Sequence, residues 1–417
     1  MIKNRDRQPA KDFESFKKEL NDSIAKIKQV NPEHNIFLEI ESYNDEMLFK
    51  FWESQRGSCL FGLTFAAKDV FARQNRPLTL GVKPAAIESA NETARAIEQL
   101  MQRGAIFLGA TNLDPLALGV FGRNEFYGDV SLPDESGRVV MGSSSGSAAA
   151  VAAGLVSFAL ASDYGGSTRI PAAACKICGL RSNRISDRGM FKLSKSSDAP
   201  GILTLDLRTL KTVLKGLDIQ VENSSRMIAA IPAGFAGFIK DFELKNMFYS
   251  ATDRIARKRK LTEIVLPFNL DDLAAIRKTI AVAEVAETFK DLNLKTQQLT
   301  NQARAIMRAF QVQKEGMLQE AKDALDKIGK QLNGLLNGSI ALLTPSCPCA
   351  LPSAGRTAAH ISVELLEKFM IMANLFDLPS LTFSVADVSL TLTGSAGTEG
   401  ELIALALEIE EILTASV

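Results

Sequence analysis

Three short stretches carry the residues able to do chemistry. The first is Lys68, which closes the apolar run Leu63-Thr64-Phe65-Ala66-Ala67. A lysine there either reaches solvent from a strand end or lies buried. Desolvation disfavours the ammonium, so a buried lysine can act as a neutral base. The second is Gly142-Ser143-Ser144-Ser145-Gly146-Ser147. It reads as a flexible loop, as a nest of backbone amides for an oxyanion or phosphate, or as a nucleophile turn. It fits G-x-S-x-G with Ser144 in the nucleophile position, but an α/β-hydrolase would also need a later acid and then a histidine. His360 is the one histidine downstream, and nothing around it singles it out. The third is Asp163-Tyr164-Gly165-Gly166-Ser167-Thr168-Arg169-Ile170-Pro171. Two glycines before a serine leave backbone N–H groups unshielded beside a hydroxyl, which suits an oxyanion hole. The alternative is a plain turn after a strand.

Taken together, these stretches resemble the amidase signature family. The resemblance rests on Gly142 to Gly154 and Ala161 to Ala173. Ala66-Ala67-Lys68-Asp69 and Gly109-Ala110-Thr111-Asn112-Leu113-Asp114 fall upstream in the family's order. Ile177-Cys178-Gly179-Leu180-Arg181 and Pro345-Ser346-Cys347-Pro348 follow downstream. The resemblance implies a Ser-Ser-Lys triad, with Ser167 as nucleophile, Ser143 as bridging serine, Lys68 as base, and a cis Gly142–Ser143 peptide. It also implies an oxyanion hole from the amides of Tyr164, Gly165, Gly166 and Ser167, with Asp163 and Arg169 as scaffold. Ala117, Met141 and Gly142 are the expected substrate-binding positions. Such a triad needs no histidine, cofactor or metal. Lys68 accepts, through Ser143, the proton of Ser167, which attacks the amide carbonyl. The relay returns a proton to the departing amine, and water removes the acyl group.

The serine run, with Thr111 to Asp114 and Tyr127-Gly128, looks most like the allophanate hydrolase branch. That branch carries a Tyr and an Arg for the substrate carboxylate in the helix after a Pro-Phe pair. After Pro267-Phe268 the matching stretch is Ala281-Val282-Ala283-Glu284-Val285-Ala286-Glu287-Thr288-Phe289, with neither residue, and Arg277 precedes it. Neutral carboxamides are therefore expected to be better substrates than allophanate. The A subunit of tRNA-dependent amidotransferases is another relative, but its tyrosine-rich stretch has no match between Ala303 and Leu343.

Composition narrows the class. Lys plus Arg and Asp plus Glu each number 48 in 417 residues, so no basic excess serves nucleic acid. The 46% apolar and 23% charged fractions are those of a globular chain. With two histidines, little material exists for a histidine base or a histidine-rich metal site. Cys175-x-x-Cys178 and Cys347-x-Cys349 could suggest zinc, but the second spacing is not finger-like, and packing is the reading adopted. Five cysteines make no disulfide framework and fit a reducing, cytoplasmic setting. The uncharged window from Val139 to Ser162 is long enough for a membrane span. Its serines and glycines instead indicate a buried loop, helix and strand. The expected partner is a small-molecule amide, without nucleic acid or membrane, and a homodimer is possible.

The elements that must position these residues alternate between strand and helix, which predicts an α/β fold. The resemblance specifies it as the amidase signature fold, a large mixed twisted β-sheet with helices on both faces. A single domain over 1–417 is expected, with an N-terminal helical segment 1–32 and a signature core 60–210. Phe13, Phe16, Leu20, Ile24 and Ile27 form one helical face, and Asn31-Pro32 is the expected stop. Asn91 is a candidate cap for a helix to Arg103, Leu113 to Leu118 reads as a short helix, and Ala148 to Ala153 as a helix packed closely. Strands are expected at Phe61 to Val70, Ala105 to Gly109, Val156 to Ser162, Ile228 to Ile231, Leu261 to Leu266 and Ile340 to Thr344. Helices follow at Asp271 to Leu292, Thr296 to Leu336, Ala358 to Phe376 and Glu399 to Leu413.

Overall fold

The computed structural model describes residues 12–134, 138–292, 294–347 and 362–415. Its strands are β1 (Phe37–Ile40), β2 (Thr64–Lys68), β3 (Ile106–Thr111), β4 (Phe158–Asp163), β5 (Cys178–Arg181), β6 (Ala199–Thr204), β7 (Ile228–Pro232), β8 (Leu261–Ile264), β9 (Ile340–Pro345), β10 (Ser380–Val385) and β11 (Val388–Thr393). They form one 11-stranded sheet in the order β1-β3-β2-β4-β6-β5-β10-β11-β9-β7-β8. Pairing is mixed: β2 runs parallel to β3 and β4, and β7 to β8 and β9. The other six pairs are antiparallel.

The central strands are buried on both faces, which is why they read as unbroken apolar runs. Side chains alternate across a strand, and here they enter two cores. Phe65, Ala67, Phe158 and Leu160 face one, while Ala66, Ala159 and Ala161 face the other. The second core is closed by Phe13–His34 and by the alanine-rich helix Ser145–Ala152, whose methyl-sized side chains allow close approach to the sheet. A Cβ on Gly146 would lie 2.5 Å from the Ile36 carbonyl oxygen, so a side chain there would open that contact.

Several boundaries differ from expectation, and three of them show their physical cause. The first helix runs through Pro32 to His34, because the Asn35 amide still donates to the Asn31 carbonyl at 2.9 Å and closes the last turn. The helix expected from Asn91 begins at Arg95. The amides of Ala94 and Arg95 donate to the carbonyls of Ala72 and Arg188, and Thr93 Oγ1 accepts from the Gln74 amide, so the preceding segment is tied to neighbouring loops. The long helical stretch from Thr296 is broken into Thr296–Gln298, Asn301–Gln311 and Met317–Leu336. Thr300 caps the second piece, and Gly316 adopts φ 86° before the third. The Leu113 to Leu118 segment is a short 3₁₀ turn, Pro115–Ala117. The Val139 to Ser162 window contains a loop, the helix Ser145–Ala152 and β4. No described helix is long and apolar enough to cross a membrane.

Candidate active site

Lys68 is the last residue of β2 and has no solvent exposure. Its Nζ donates to Ser143 Oγ at 2.8 Å and to Ser162 Oγ at 2.9 Å. Ser162 lies on β4, the parallel neighbour of β2, so sheet register supplies this partner. Burial pulls the Lys68 ammonium down to about 8, from the usual 10.5, and the carboxylates of Asp198, Asp114 and Asp163 oppose that fall. Lys68 is thus half neutral at about pH 8.

Ser143 precedes the helix Ser145–Ala152 and is joined to Gly142 by a cis peptide. The Asp114 amide donates to the Ser143 carbonyl at 3.2 Å. The Asp114 carboxylate lies over Gly142, where a Cβ would come within 1.8 Å of Oδ1. Asp114 Oδ2 accepts from the Phe121 and Gly122 amides at 3.2 and 3.1 Å, while Oδ1 is buried without a hydrogen-bond partner among the described residues. Burial raises this carboxyl to about 7, against the pull of Lys68.

Ser167 sits between β4 and the helix Arg169–Ala174, and its carbonyl accepts from the Ser144 amide at 3.3 Å. It lines a cavity of about 490 Å³ together with Tyr164, Gly165, Asp114, Ala117 and Arg277. This backbone bond ties Ser167 to the residue that follows Ser143. Among the described residues, no hydrogen bond joins the Ser143 and Ser167 hydroxyls directly.

The loop before Ser167 is pinned by Asp163. Its carboxylate accepts from the amides of Gly166 (2.8 Å) and Thr168 (3.2 Å), and from Arg169 Nε (3.0 Å) and Nη2 (2.9 Å). Asn374 Nδ2 adds bonds to Asp163 Oδ1 and to its carbonyl at 2.9 and 2.7 Å. Burial alone would raise the Asp163 carboxyl, but Arg169, Arg181 and Asn374 hold it well below the usual carboxylate range.

This bonding corrects one expectation. The Gly166 amide donates to Asp163 and is not free for an oxyanion. The amides of Tyr164, Gly165 and Ser167 have no hydrogen-bond acceptor among the described residues. Gly166 has φ 105°, and a Cβ there would meet the Met370 side chain at 2.7 Å, so the turn requires glycine.

Of the expected substrate-binding positions, Ala117 lines the cavity, while Met141 and Gly142 do not. The Met141 side chain belongs to the hydrophobic core, and the Gly142 backbone is covered by Asp114.

Arg277, expected to lie before the turn that matches the carboxylate-binding stretch, nevertheless reaches the site, whereas none of Ala281 to Phe289 is among the residues lining the cavity. Arg277, on the helix Leu270–Asp291, lines the cavity. Its guanidinium lies 4.6 Å from the Tyr164 ring centroid. Glu284 instead turns away and accepts from the Ser196 amide at 3.1 Å, and Glu287 is exposed. Neither glutamate lines the cavity.

Ser162, Asn374 and the cavity role of Arg277 went unmarked in the sequence. Ser162 carried the one available signal, a hydroxyl at the end of a buried strand beside that of Lys68. Cys175 and Cys178 are buried, and burial pushes the Cys175 thiol up to about 12. Cys349 and His360 lie outside the described residues. His34 bonds Ser131 Oγ at 2.9 Å and does not line the cavity.

The A subunit of glutamyl-tRNA(Gln) amidotransferase from Chlorobium luteolum is 40% identical over 193 residues, covering 45% of this chain and 39% of that relative. The match thus spans less than half the length of the curated relative. A crystal structure of an amidase superposes with a TM-score of 0.83 at 25% identity, covering 96% of this chain and 98% of the other. An allophanate hydrolase of Kluyveromyces lactis superposes with a TM-score of 0.82 at 23% identity, covering 96% of this chain and 70% of the other, a likeness of fold. The family model described as Amidase matches residues 19–233, just over half of the 417. On that match, the chain belongs to the Amidase family.

Proposed function

We propose that this chain is an amidohydrolase that cleaves linear carboxamides through an acyl-enzyme on Ser167. The observation that carries the reading is a fully buried lysine, lowered to about 8, with its Nζ 2.8 Å from Ser143 Oγ, together with a serine, Ser167, that lines a cavity of about 490 Å³. Neutral Lys68 withdraws a proton from Ser143, and Ser143 withdraws one from Ser167 as its Oγ attacks the amide carbon. The Ser143–Ser167 hydrogen bond forms as the substrate settles, since catalytic hydrogen bonds often tighten only in the complex. The free amides of Tyr164, Gly165 and Ser167 receive the oxyanion. The proton returns through Ser143 to the leaving nitrogen, ammonia or an amine departs, and water repeats the sequence on the ester. Ser162 holds the second Lys68 hydrogen bond and fixes the amine in line with Ser143.

A second reading is a component that works only within an amidotransferase complex. It is favoured by the name of the curated relative from Chlorobium luteolum. Purified alone, the chain is expected to release ammonia from a panel of small carboxamides, and Ser167→Ala to abolish that release. Release only after addition of partner subunits would instead support the amidotransferase reading.

A further inference from the structure

Gly165 precedes the nucleophile loop's left-handed Gly166 but is not itself left-handed, so its missing side chain has another cause. A Cβ there would lie 2.4 Å from Arg277 Nη2 and 3.5 Å from its Cζ. The nearest atom beyond Arg277 is Glu367 Oε1, at an ordinary 3.9 Å. The guanidinium thus fills the space in which a side chain at 165 would stand. Arg277 is 7% exposed and comes from the helix Leu270–Asp291. Its Cζ lies 4.6 Å from the Tyr164 ring centroid, so the cation rests on both residues that open the loop. Burial pulls the guanidinium down, yet the charge and hydrogen bonding of Tyr164, with Glu367 and Asp163, raise it above its ordinary value. Glu367 Oε1 stands 3.7 Å from Nη2, beyond hydrogen-bond length, and its side chain is 40% exposed, so this pair is loose. A full positive charge therefore sits against the Tyr164–Gly165 segment, whose amides have no acceptor among the described residues.

We propose that Arg277 is a positioning residue of the oxyanion hole: it holds the Tyr164–Gly165 segment with its amides toward the cavity, and its charge adds to theirs on the oxyanion formed beside Ser167. This deepens the amidohydrolase reading and rests on it. The Tyr164 ring fixes the plane of the guanidinium, and the guanidinium in turn lies on the Gly165 backbone. The negative charge it favours appears only once Ser167 Oγ has added to the carbonyl carbon. A cation placed here therefore stabilises the transition state more than the bound amide. It acts on kcat, whatever the charge of the substrate, and takes no part in proton transfer. Gly165 lacks a side chain in order to admit it.

The test measures turnover of two neutral amides, propionamide and benzamide, and of anionic succinamate by the whole chain and its variants. Arg277→Gln should lower kcat on the order of a hundredfold on all three, with KM within about threefold. Arg277→Lys should recover part of the loss, because the charge returns without the planar stack. Gly165→Ala evicts the guanidinium but leaves it in the chain. It should lose as much as Arg277→Gln, and the double variant little more than either alone. Phenylboronic acid, which forms a tetrahedral anion on a serine oxygen, should bind each variant more weakly in the proportion by which kcat/KM falls. Because Arg277 is buried, each variant is also exposed to a neutral fluorophosphonate. Labelling of Ser167 should be slower yet reach the same extent, which shows a folded site. Additive losses in the double variant would overturn the proposal, as would a loss in KM alone or unchanged boronate binding. A loss confined to succinamate would make Arg277 a substrate-binding residue and overturn it too. Active, labelled wild type beside an unimpaired Arg277→Gln sinks this inference alone. Wild type with neither labelling nor turnover sinks the amidohydrolase reading beneath it.

Discussion

A lysine with no access to water keeps its proton only if surrounding charge replaces the lost hydration. Around Lys68 the replacement is partial. Asp198, Asp114 and Asp163 favour the ammonium, yet burial outweighs them and leaves the group at about 8. Two of these acids are themselves raised by burial, Asp114 to about 7 and Asp198 to about 6, so each adds negative charge only as pH climbs past its own value. The direction for catalysis follows. Below about 8 the neutral base falls tenfold per pH unit, so kcat/KM should rise from about pH 6 and level off above about pH 8.5. Ionisation of Asp114 and Asp198 on the way up holds the transition at the alkaline side. Lys68→Arg should lose on the order of a thousandfold, because a guanidinium stays protonated throughout this range. A pH–rate profile of wild type and variant checks both; a flat profile or a near-normal Lys68→Arg rate would remove Lys68 from the base role. The Lys68 position was legible in sequence because an ionisable residue closed an apolar run. Arg277 was not, because it sits among ordinary polar positions of a long helix, and only the packing of that helix against the Tyr164 loop turns it inward.

At the scale of elements, the site is a junction of segments that cannot move apart independently. β2 carries Lys68, β4 carries Ser162 and Asp163, and the serine loop is held against them by Asp114. That bracket depends on Gly142 having no side chain, since a Cβ would lie 1.8 Å from Asp114 Oδ1. Gly142→Ala must push the carboxylate off the Phe121 and Gly122 amides or displace Ser143. We expect a loss of about 1–3 kcal/mol in denaturant unfolding, as in other overpacked interiors, together with a sharp drop in turnover. Gly57→Ala, where a Cβ meets nothing within 4 Å, is the matched control and should leave both unchanged. An unaltered Gly142→Ala enzyme would show that the bracket does not hold Ser143 in place. Element boundaries were less legible than element types for a related reason. The first-helix stop, the delayed start at Arg95 and the break before Met317 are each decided by backbone hydrogen bonds or caps that local periodicity does not encode.

For the whole molecule, folding brings segments far apart in sequence together at the nucleophile loop. Asn374, from the helix Val363–Leu375, bonds Asp163 directly, so a residue over two hundred positions downstream stabilises the nucleophile loop. The pair Asp163–Arg169 is essentially without exposure, and removing one partner of such a pair commonly costs about 3–5 kcal/mol. The α/β class was legible from alternating strand and helix runs, while the family, and with it the mixed sheet, came from the glycine- and serine-rich motifs. The hairpin of β10 and β11 was not, because its turn at Ala386 (φ 51°) uses no glycine or asparagine to mark it. Nor was the cavity wall from the later helices, since residues distant in sequence meet only after the sheet closes. The central claim, a Ser167 acyl-enzyme formed without histidine, is most directly tested by reacting the whole chain with a fluorophosphonate and mapping the adduct by peptide mass spectrometry. The proposed mechanism predicts modification at Ser167, retained in Ser144→Ala and absent in Ser167→Ala; an adduct on Ser144, or capture that survives Ser167→Ala, would contradict it.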